Sequence, residues 1–459
     1  MLLYQKKKMR DIILVMSDQH SAQATSMNGP IKCTPFLEQL TQRAQYFENA
    51  YCNNPLCVPS RMSFLSGKSS SQLGIYDNDV MLPSEVETLA GKLSRQGYRT
   101  VLVGRMHFKG DDQKHGFEER YVGDITTQWW GQKRHDLGAF QGTLRVDGCL
   151  NTYGYGNSPV QEYDEAVCEA ACELLQEKCD RPLFLVVGLY GPHFPYCVKK
   201  EYFDHYYTQD LRIEDHALPC WEEYVSMRME SEHAVLQHVR SAYYGLVEKM
   251  DAMVARLHAA ARKNFADGVF IYTSDHGDQM GKRALFGKKT CYEESIKIPL
   301  IIEDPRRAAA THANEVSLLN LHAYLCTLAQ LPATGPALDN TEPICIQSMI
   351  GNEGERHIEQ AVLWQRFKYV AYDGHTRLIS LKEDPNEEHD VKMRYPQIVR
   401  KLEGCLCDTE EGMRRYEQRI AEMEKRKAEF EQHPQEDWIR YPLSEAAGAA
   451  PQRRSYEEV

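Results

Sequence analysis

Short apolar runs that end in polar side chains recur along this chain and limit the folds it can adopt. The clearest runs are residues 11–17, 100–103, 182–189 and 268–273, and residues 299–302 are a fifth candidate. Continuous apolar runs of this kind are typical of parallel strands buried on both faces of a sheet. Because predicted helices alternate with these strands, we expect an α/β fold with a doubly wound, mostly parallel sheet flanked by helices.

Side chains suited to a metal or catalytic site follow these runs. Asp18 and Gln19 follow the first run, and Asp275 and His276 follow the fourth. Ligands of open α/β sheets bind at the carboxyl ends of the strands, so these side chains are expected at one edge. Two carboxylates together with an amide oxygen favour a hard divalent cation such as Ca²⁺, Mg²⁺ or Mn²⁺. Taken alone, Asp18 is equally consistent with a turn or a helix cap.

The composition of the chain changes after about residue 355. We predict a catalytic α/β domain over residues 1–355 and a smaller subdomain over residues 356–459. Residues 111–158 lack regular periodicity but are rich in aromatic residues, which indicates a long excursion that builds a pocket. A tail from Pro442 is predicted to be mobile or to lean on a partner.

The C-terminal subdomain is predicted to contain a small antiparallel sheet. Residues 361–371 and 376–382 are its predicted strands, arranged around the Asp373–Gly374 turn. Charged helices are predicted to follow over residues 391–405 and 411–432.

Charge and hydropathy exclude two classes of partner. The formal net charge of −12 argues against a nucleic-acid-binding protein, which would carry a basic domain. No run approaches the length of a membrane span. Residues 1–10 are basic but lack the apolar region of a secretory signal peptide, so we expect a cytoplasmic protein.

The 14 cysteines are scattered through the chain and include no CxxC pair. Cys168 and Cys172 lie at i and i+4 of a predicted helix, but no second pair completes a zinc site. Reduced and mostly buried thiols are the expected state.

The segment Cys57-Val58-Pro59-Ser60-Arg61 places a thiol, a rigid bend, a hydroxyl and a permanent cation within one turn of backbone. A helix is predicted from about Pro59, which puts Cys57 at a helix N-terminus. The dipole there favours an anionic ligand beside residue 57. On its own, the pentapeptide is also consistent with a loop that carries an incidental thiol.

With its flanks, this segment resembles the signature of the type I, formylglycine-dependent sulfatases. Further segments match that family in the same order: 17–19, 104–108, 191–193, 273–278, 287–295 and 384–388. Residues 76–78 and 112–120 are similar to the choline-sulfatase-like branch. The resemblance covers nearly the whole chain. It implies an alkaline-phosphatase-like fold and a sulfuric ester hydrolase.

The resemblance also implies roles for the site residues. Cys57 would be oxidised to formylglycine by a formylglycine-generating enzyme, and the hydrate of that aldehyde would attack sulfur. One divalent cation, with Ca²⁺ as the first choice, would activate the hydrate. Its ligands would be Asp18, Gln19, Asp275, His276 and residue 57. The enzyme would then eliminate sulfate. Arg61 would hold the hydrate, His107 would be the base for the elimination, and Arg105, His193 and Lys288 would surround the sulfate.

Three positions depart from the commonest family pattern. Arg105 stands where lysine is common, Gln19 where many members have a second aspartate, and His276 where many arylsulfatases have asparagine. Arginine cannot realistically donate a proton, so His193 or Lys288 is expected to be the general acid. The softer ligand set makes Mn²⁺ credible beside Ca²⁺, and Mg²⁺ is a further alternative.

The substrate is expected to be a small sulfate ester, an organosulfate or a sulfated mono- or disaccharide. Asn78, Trp129 and Trp130 are the candidate substrate-binding residues, and the two tryptophans are equally consistent with core packing. A homo-oligomer is allowed. The competing functions are a phosphonate monoester or phosphodiester hydrolase of the same superfamily and, more remotely, a non-catalytic binding protein.

Overall fold

A computed structural model describes residues 9–126, 130, 149–177, 180–211, 220–333, 335–351 and 356–433. The strands are β1 (Ile12–Asp18), β2 (Gln45–Tyr51), β3 (Arg99–Gly104), β4 (Glu119–Tyr121), β5 (Tyr153–Tyr155), β6 (Leu183–Pro192), β7 (Tyr196–Val198), β8 (Val269–Ser274), β9 (Lys297–Ile298), β10 (Leu300–Glu303), β11 (Ala310–Ser317), β12 (Ile344–Ile350), β13 (His357–Trp364), β14 (Phe367–Tyr372) and β15 (His375–Ser380). The helices are α1 (Pro35–Thr41), α2 (Cys57–Ser66), α3 (Ser70–Leu73), α4 (Leu89–Arg95), α5 (Pro159–Leu174), α6 (Lys200–Tyr207), α7 (Glu222–Ser226), α8 (His233–Asn264), α9 (Glu293–Ile296), α10 (Leu318–Leu328), α11 (Pro396–Glu403) and α12 (Thr409–Gln432).

The large sheet has the order β11-β2-β10-β8-β1-β6-β3-β4, and β9 pairs with β2. β1 is central and runs parallel to both β6 and β8, while β3 runs parallel to β6. β10 is antiparallel to both of its neighbours. The predicted mostly parallel α/β sheet is confirmed, and the five apolar runs correspond to β1, β3, β6, β8 and β10.

Burial on both faces explains why β1 has no polar alternation. Ile12, Leu14 and Met16 pack in one apolar core, and Ile13 and Val15 pack in the other. Helices cover each face, with α8 on the second core and α2 on the first. The first polar side chains of β1 therefore fall at its carboxyl end, as the sequence predicts.

The predicted strand over residues 361–371 is wrong, because the chain turns within it. Gln365 and Arg366 have φ of 51° and 63°, and this turn separates β13 from β14. Such turns usually use glycine or asparagine. Here tertiary contacts hold the turn: Arg366 N donates to Glu315 Oε1 at 2.7 Å, and Arg366 Nη1 donates to Asn49 Oδ1 at 2.8 Å. The predicted Asp373–Gly374 turn is confirmed between β14 and β15.

The small sheet has the order β12-β13-β14-β15 and is antiparallel. β12 precedes residue 355 yet pairs with β13, and the domain division at that residue stays a prediction. Lys368 of β14 is fully buried and forms ion pairs with Glu293 of α9 and with Glu387. The 384–388 segment thus anchors the small sheet to the end of the large one, since the Glu387 carboxylate also accepts from Glu293 N at 2.7 Å.

Among the described residues, no helix is long and apolar enough to cross a membrane. The 13 described cysteines are free thiols, as expected. The predicted tail from Pro442 lies outside the described residues.

Candidate active site

Cys57 is the first residue of α2, at the helix N-terminus that the sequence predicts. The preceding residue, Leu56, has no side chain able to cap the helix. Asn78 supplies the missing acceptor, because its Oδ1 accepts a 2.9 Å hydrogen bond from Val58 N. Asn78, a candidate substrate-binding residue, therefore supports the turn that carries Cys57.

Three functional groups surround the Cys57 thiol. Lys288 Nζ and His276 Nε2 each lie 3.2 Å from Cys57 Sγ, and Asp18 Oδ1 lies 3.6 Å away. These residues come from α2, the β1 and β8 ends, and the loop after β8. The structure thus brings to Cys57 three groups that lie 39, 219 and 231 residues away in sequence.

Asp18, Cys57, Asp275 and His276 offer ligand atoms that all lie within 4.8 Å of one another, and all four residues are buried. His276 Nδ1 donates to Gly277 O at 3.0 Å, which leaves a lone pair on Nε2. Burial lowers the pKa of His276 and keeps the ring neutral. Two carboxylates and a neutral imidazole fit a divalent cation.

Gln19 borders this cluster with a strained backbone, at φ 71°. Its Oε1 accepts from Lys288 Nζ at 2.7 Å, and its Nε2 donates to Asp278. Tyr196 OH donates to the same Asp278 carboxylate at 2.7 Å. The Gln19 carboxamide is therefore oriented with its oxygen towards Lys288, beside the cation-binding cluster.

Arg61 joins α2 to both carboxylates of the candidate metal site. Its Nε donates to Asp275 Oδ2 at 2.8 Å, and its Nη2 donates to Asp18 Oδ2 at 3.2 Å. Its Nη1 donates to the carbonyl of Arg105 at 3.0 Å. Because these partners occupy the guanidinium, Arg61 orients the carboxylates.

Arg105 is similarly engaged. Its guanidinium donates to Asp18 Oδ2 at 2.6 Å, Asp124 Oδ1 at 2.8 Å, Thr126 Oγ1 at 3.3 Å and His107 Nδ1 at 2.8 Å. Those bonds leave one of the five N–H groups of a guanidinium for other partners. The backbone of Arg105 passes so close to Gly188 that a Cβ at residue 188 would lie 1.7 Å from the Arg105 carbonyl oxygen.

The site cations control the charge on Asp18. Burial alone raises the pKa of this carboxyl group, but the cations Arg105, Lys288 and Arg61 together hold it well below its usual range. Asp18 is therefore an anion ready to bind a cation. Burial and the nearby Lys288 lower the pKa of His193, which is neutral and whose Nδ1 donates to Phe194 O at 2.6 Å.

Sequence reasoning missed Asp124, Asp278 and Tyr196. Asp124 is 4% exposed and binds both Arg105 and the backbone of His107. Its position within the irregular excursion gave no signal, whereas Asp278 lies in a matched segment and could have been found there. Trp130 packs edge-on against Phe430 of α12, with ring centroids 5.8 Å apart. Trp129 lies outside the described residues.

Comparisons with known proteins decide the family. Residues 10–331 match the family described as Sulfatase. The chain belongs to the sulfatase family. The predicted resemblance is thus confirmed, and membership makes the chain a sulfuric ester hydrolase.

Two relatives match most of this sulfatase. A choline-sulfatase from Rhizobium meliloti is 28% identical over 81% of the chain and 76% of the relative. An arylsulfatase from Clostridium perfringens is 25% identical over 86% of the chain and 94% of the relative.

A phosphonate monoester hydrolase from Agrobacterium radiobacter has a similar solved structure. Its TM-score is 0.69 at 18% identity, over 91% of this chain and 96% of that one. This likeness supports the alkaline-phosphatase-like fold, as the sequence predicts.

Proposed function

We propose that this sulfatase hydrolyses a small sulfate ester to an alcohol and inorganic sulfate at residue 57, after Cys57 has been converted to formylglycine. One observation carries the proposal: Cys57 Sγ lies at a helix N-terminus within 3.6 Å of Lys288, His276 and Asp18. An oxygen nucleophile at the position of this sulfur would touch both a cation-binding cluster and a proton-donating lysine.

The charge balance of the site suits an anionic substrate. Three cations, Arg61, Arg105 and Lys288, face three carboxylates. These are Asp18, Asp275 and Asp124, so the charges of the six side chains nearly cancel. A divalent cation bound by Asp18, Asp275 and His276, with Gln19 Oε1 beside it, would act as a Lewis acid and favour deprotonation of a hydroxyl on residue 57. Ca²⁺ is the proposed ion, with Mn²⁺ or Mg²⁺ as alternatives. The site then carries the excess positive charge that a sulfate ester requires.

Lys288 is the proposed proton donor to the departing alcohol oxygen. Its ammonium lies 3.2 Å from Cys57 Sγ and 4.0 Å from Asp18 Oδ1. His193 is neutral and holds its proton on Nδ1, where it bonds the carbonyl of Phe194. His193 therefore offers a lone pair to the site and has no proton to donate there.

A small substrate is proposed because the choline-sulfatase relative acts, by its name, on a small ester. The proposal also depends on a cytoplasmic location of the protein, which stays a prediction. A panel of choline sulfate, glucosamine sulfates and 4-nitrophenyl sulfate, with polymeric heparan and chondroitin sulfates beside them, tests it. Turnover of the polymers with none of the small esters would contradict it.

The proposed maturation has its own test. After co-expression with a formylglycine-generating enzyme, peptide mass spectrometry should find an aldehyde in place of the Cys57 thiol. A Cys57→Ala variant is the matched control and should be inactive. Full activity in protein that carries unmodified Cys57 throughout would contradict this part of the proposal.

A further inference from the structure

His107 differs from the other two histidines of the site in the partner of its Nδ1 atom. In His193 and His276 this nitrogen faces a backbone carbonyl, so it carries the proton. In His107 it lies 2.8 Å from Arg105 Nη2. A guanidinium can only donate hydrogen bonds, so His107 Nδ1 has to be the acceptor.

The opposite nitrogen of His107 must then carry the proton. Because His107 Nδ1 must present a lone pair to the Arg105 guanidinium, the ring is a neutral imidazole with one N–H. That N–H is at Nε2, a buried atom that meets no nitrogen or oxygen acceptor among the described residues. The Cys57 thiol is the hydrogen-bonding neighbour of the same ring. A buried donor that faces residue 57 and has only a weakly accepting sulfur beside it calls for an oxygen acceptor on the substrate or on matured residue 57.

Asp124 stabilises this arrangement through hydrogen bonds to both Arg105 and His107. Its Oδ1 accepts from Arg105 Nη1 at 2.8 Å, and its Oδ2 accepts from His107 N at 3.1 Å. His107 has a φ of 61°, a left-handed conformation that is costly for a residue other than glycine. Thr126 N and Oγ1 donate to Asp124 Oδ1 at 3.1 and 2.9 Å and keep the carboxylate in place. One carboxylate thus fixes both the guanidinium and the backbone of the histidine.

We propose that Arg105 and Asp124 lock His107 in the Nε2–H tautomer, so that His107 donates a hydrogen bond to an oxygen atom of the reacting group and does not act as a base there. This role rests on the proposed function and replaces the role of base that the family resemblance implies. Asp124 is a positioning residue, because it acts through Arg105 and His107. A proton leaving residue 57 then needs a different acceptor, and the lone pair on His193 Nε2 is one.

The tautomer can be measured without any turnover. In ¹⁵N NMR spectra of histidine-labelled protein near neutral pH, the His107 signals are identified by their loss in His107→Gln. We expect a protonated Nε2 and an unprotonated Nδ1 for His107, and the reverse for His193, which serves as the internal control. A proton on His107 Nδ1, or on both nitrogens, would overturn the proposal.

Kinetics of paired variants provide the second readout. Glutamine keeps an N–H donor but has no basic nitrogen, so His107→Gln should retain turnover within about tenfold, whereas His107→Ala should lose about 10²–10³-fold, as for the loss of a preorganised donor. Equal loss in both variants would contradict the proposal. Thermal unfolding of each variant separates these effects from misfolding.

A double-mutant cycle tests the positioning role of Asp124. Asp124→Asn should lower kcat more than it raises KM, and its effect should shrink in the His107→Ala background, because it acts through that ring. Restored turnover in Asp124→Glu would support the role of the carboxylate. Asp112→Asn is the matched control, since Asp112 accepts backbone N–H bonds from Lys114 and His115 in the same loop. Additive effects of Asp124→Asn and His107→Ala would overturn this part.

Failure of this inference is distinguishable from failure of the proposed function. An enzyme inactive on sulfate esters would contradict the proposed function, while the NMR result would still decide the tautomer of His107. Conversely, an active sulfatase with a proton on His107 Nδ1 would keep the function and overturn the inference.

Discussion

Arg61 Nε donates a 2.8 Å hydrogen bond to Asp275 Oδ2, and both side chains are fully buried. This bond ties the helix that carries Cys57 to the end of β8, where the candidate metal ligand Asp275 lies. The same guanidinium reaches Asp18 at the end of β1. Arg61 therefore links Cys57 and both carboxylates through one buried side chain.

Replacing Arg61 with methionine should destabilise the fold strongly. Within the described part of the chain, the variant leaves Asp275 with no cationic side-chain partner and removes one of the partners of Asp18. Breaking a buried ion pair costs about 3–5 kcal/mol. Urea denaturation of the unmodified protein measures the change. Arg394→Gln, which breaks the exposed pair with Glu383, is the control and should cost about 0–1 kcal/mol. A similar small loss in Arg61→Met would show that Arg61 has no structural role.

Lys288→Gln should lower turnover by about 10²–10⁴-fold, the usual contribution of a positioned proton donor. Stability should change little by comparison, because glutamine can still donate to Gln19 Oε1. Lys263→Gln, at the exposed end of α8, controls for the loss of a lysine charge. The largest loss is expected for esters with poor leaving groups. A uniform loss across leaving groups would assign Lys288 to binding instead.

Asp164 should make stability pH-dependent. Burial raises its pKa from 3.8 to about 6, although hydrogen bonds from Tyr190 N and Gly191 N oppose the shift. The folded state thus binds the proton more tightly than the unfolded state, and its contribution is full below pH 3.8 and lost as the pH rises through about 6. The free energy of unfolding of the parent, relative to Asp164→Asn, should fall across this window. A flat difference would contradict the assignment.

Replacing one carboxylate of the cation-binding cluster should reduce the amount of metal that the protein binds. Asp275→Asn keeps an oxygen that can accept from Arg61 but removes a charge from the cluster, so the purified variant should hold less divalent metal than the parent and should not turn over. Elemental analysis by plasma mass spectrometry measures this directly. Glu383→Gln, on the surface, is the control. An active parent preparation without any divalent cation would refute the cluster as a metal site.

The central apolar strands of this fold were predictable from the sequence, and the strands towards the β11 edge were not. β1, β3, β6 and β8 are continuous apolar runs because both faces of the sheet are covered. β11 escaped prediction, since its first residues are exposed and polar and resemble a loop. The turn at Gln365–Arg366 escaped as well, because contacts from distant Glu315 and Asn49 stabilise it.

The residues of the site likewise fall into some that the sequence predicts and some that it does not. Asp18, Gln19, Asp275 and His276 were predicted together because each follows a strand, and the sheet brings those ends to one edge. Cys57 was added to them through the family resemblance. The partners of Arg105 were not predictable, because Asp124 reaches it from an irregular excursion. The contact of Arg105 with sulfate stays a prediction, and its hydrogen bonds to Asp18, Asp124 and His107 are the part that the sequence did not indicate.

The most direct test of the central claim compares an aryl sulfate with an aryl phosphonate monoester, measured side by side on matured protein with Cys57→Ala as the blank. The fold is shared with a phosphonate monoester hydrolase, so the fold alone does not separate the two reactions. We predict a higher kcat/KM for the aryl sulfate and no turnover of either ester by Cys57→Ala. A markedly higher kcat/KM for the phosphonate, or undiminished hydrolysis by Cys57→Ala, would contradict the proposal that the cluster around residue 57 is a sulfatase active site.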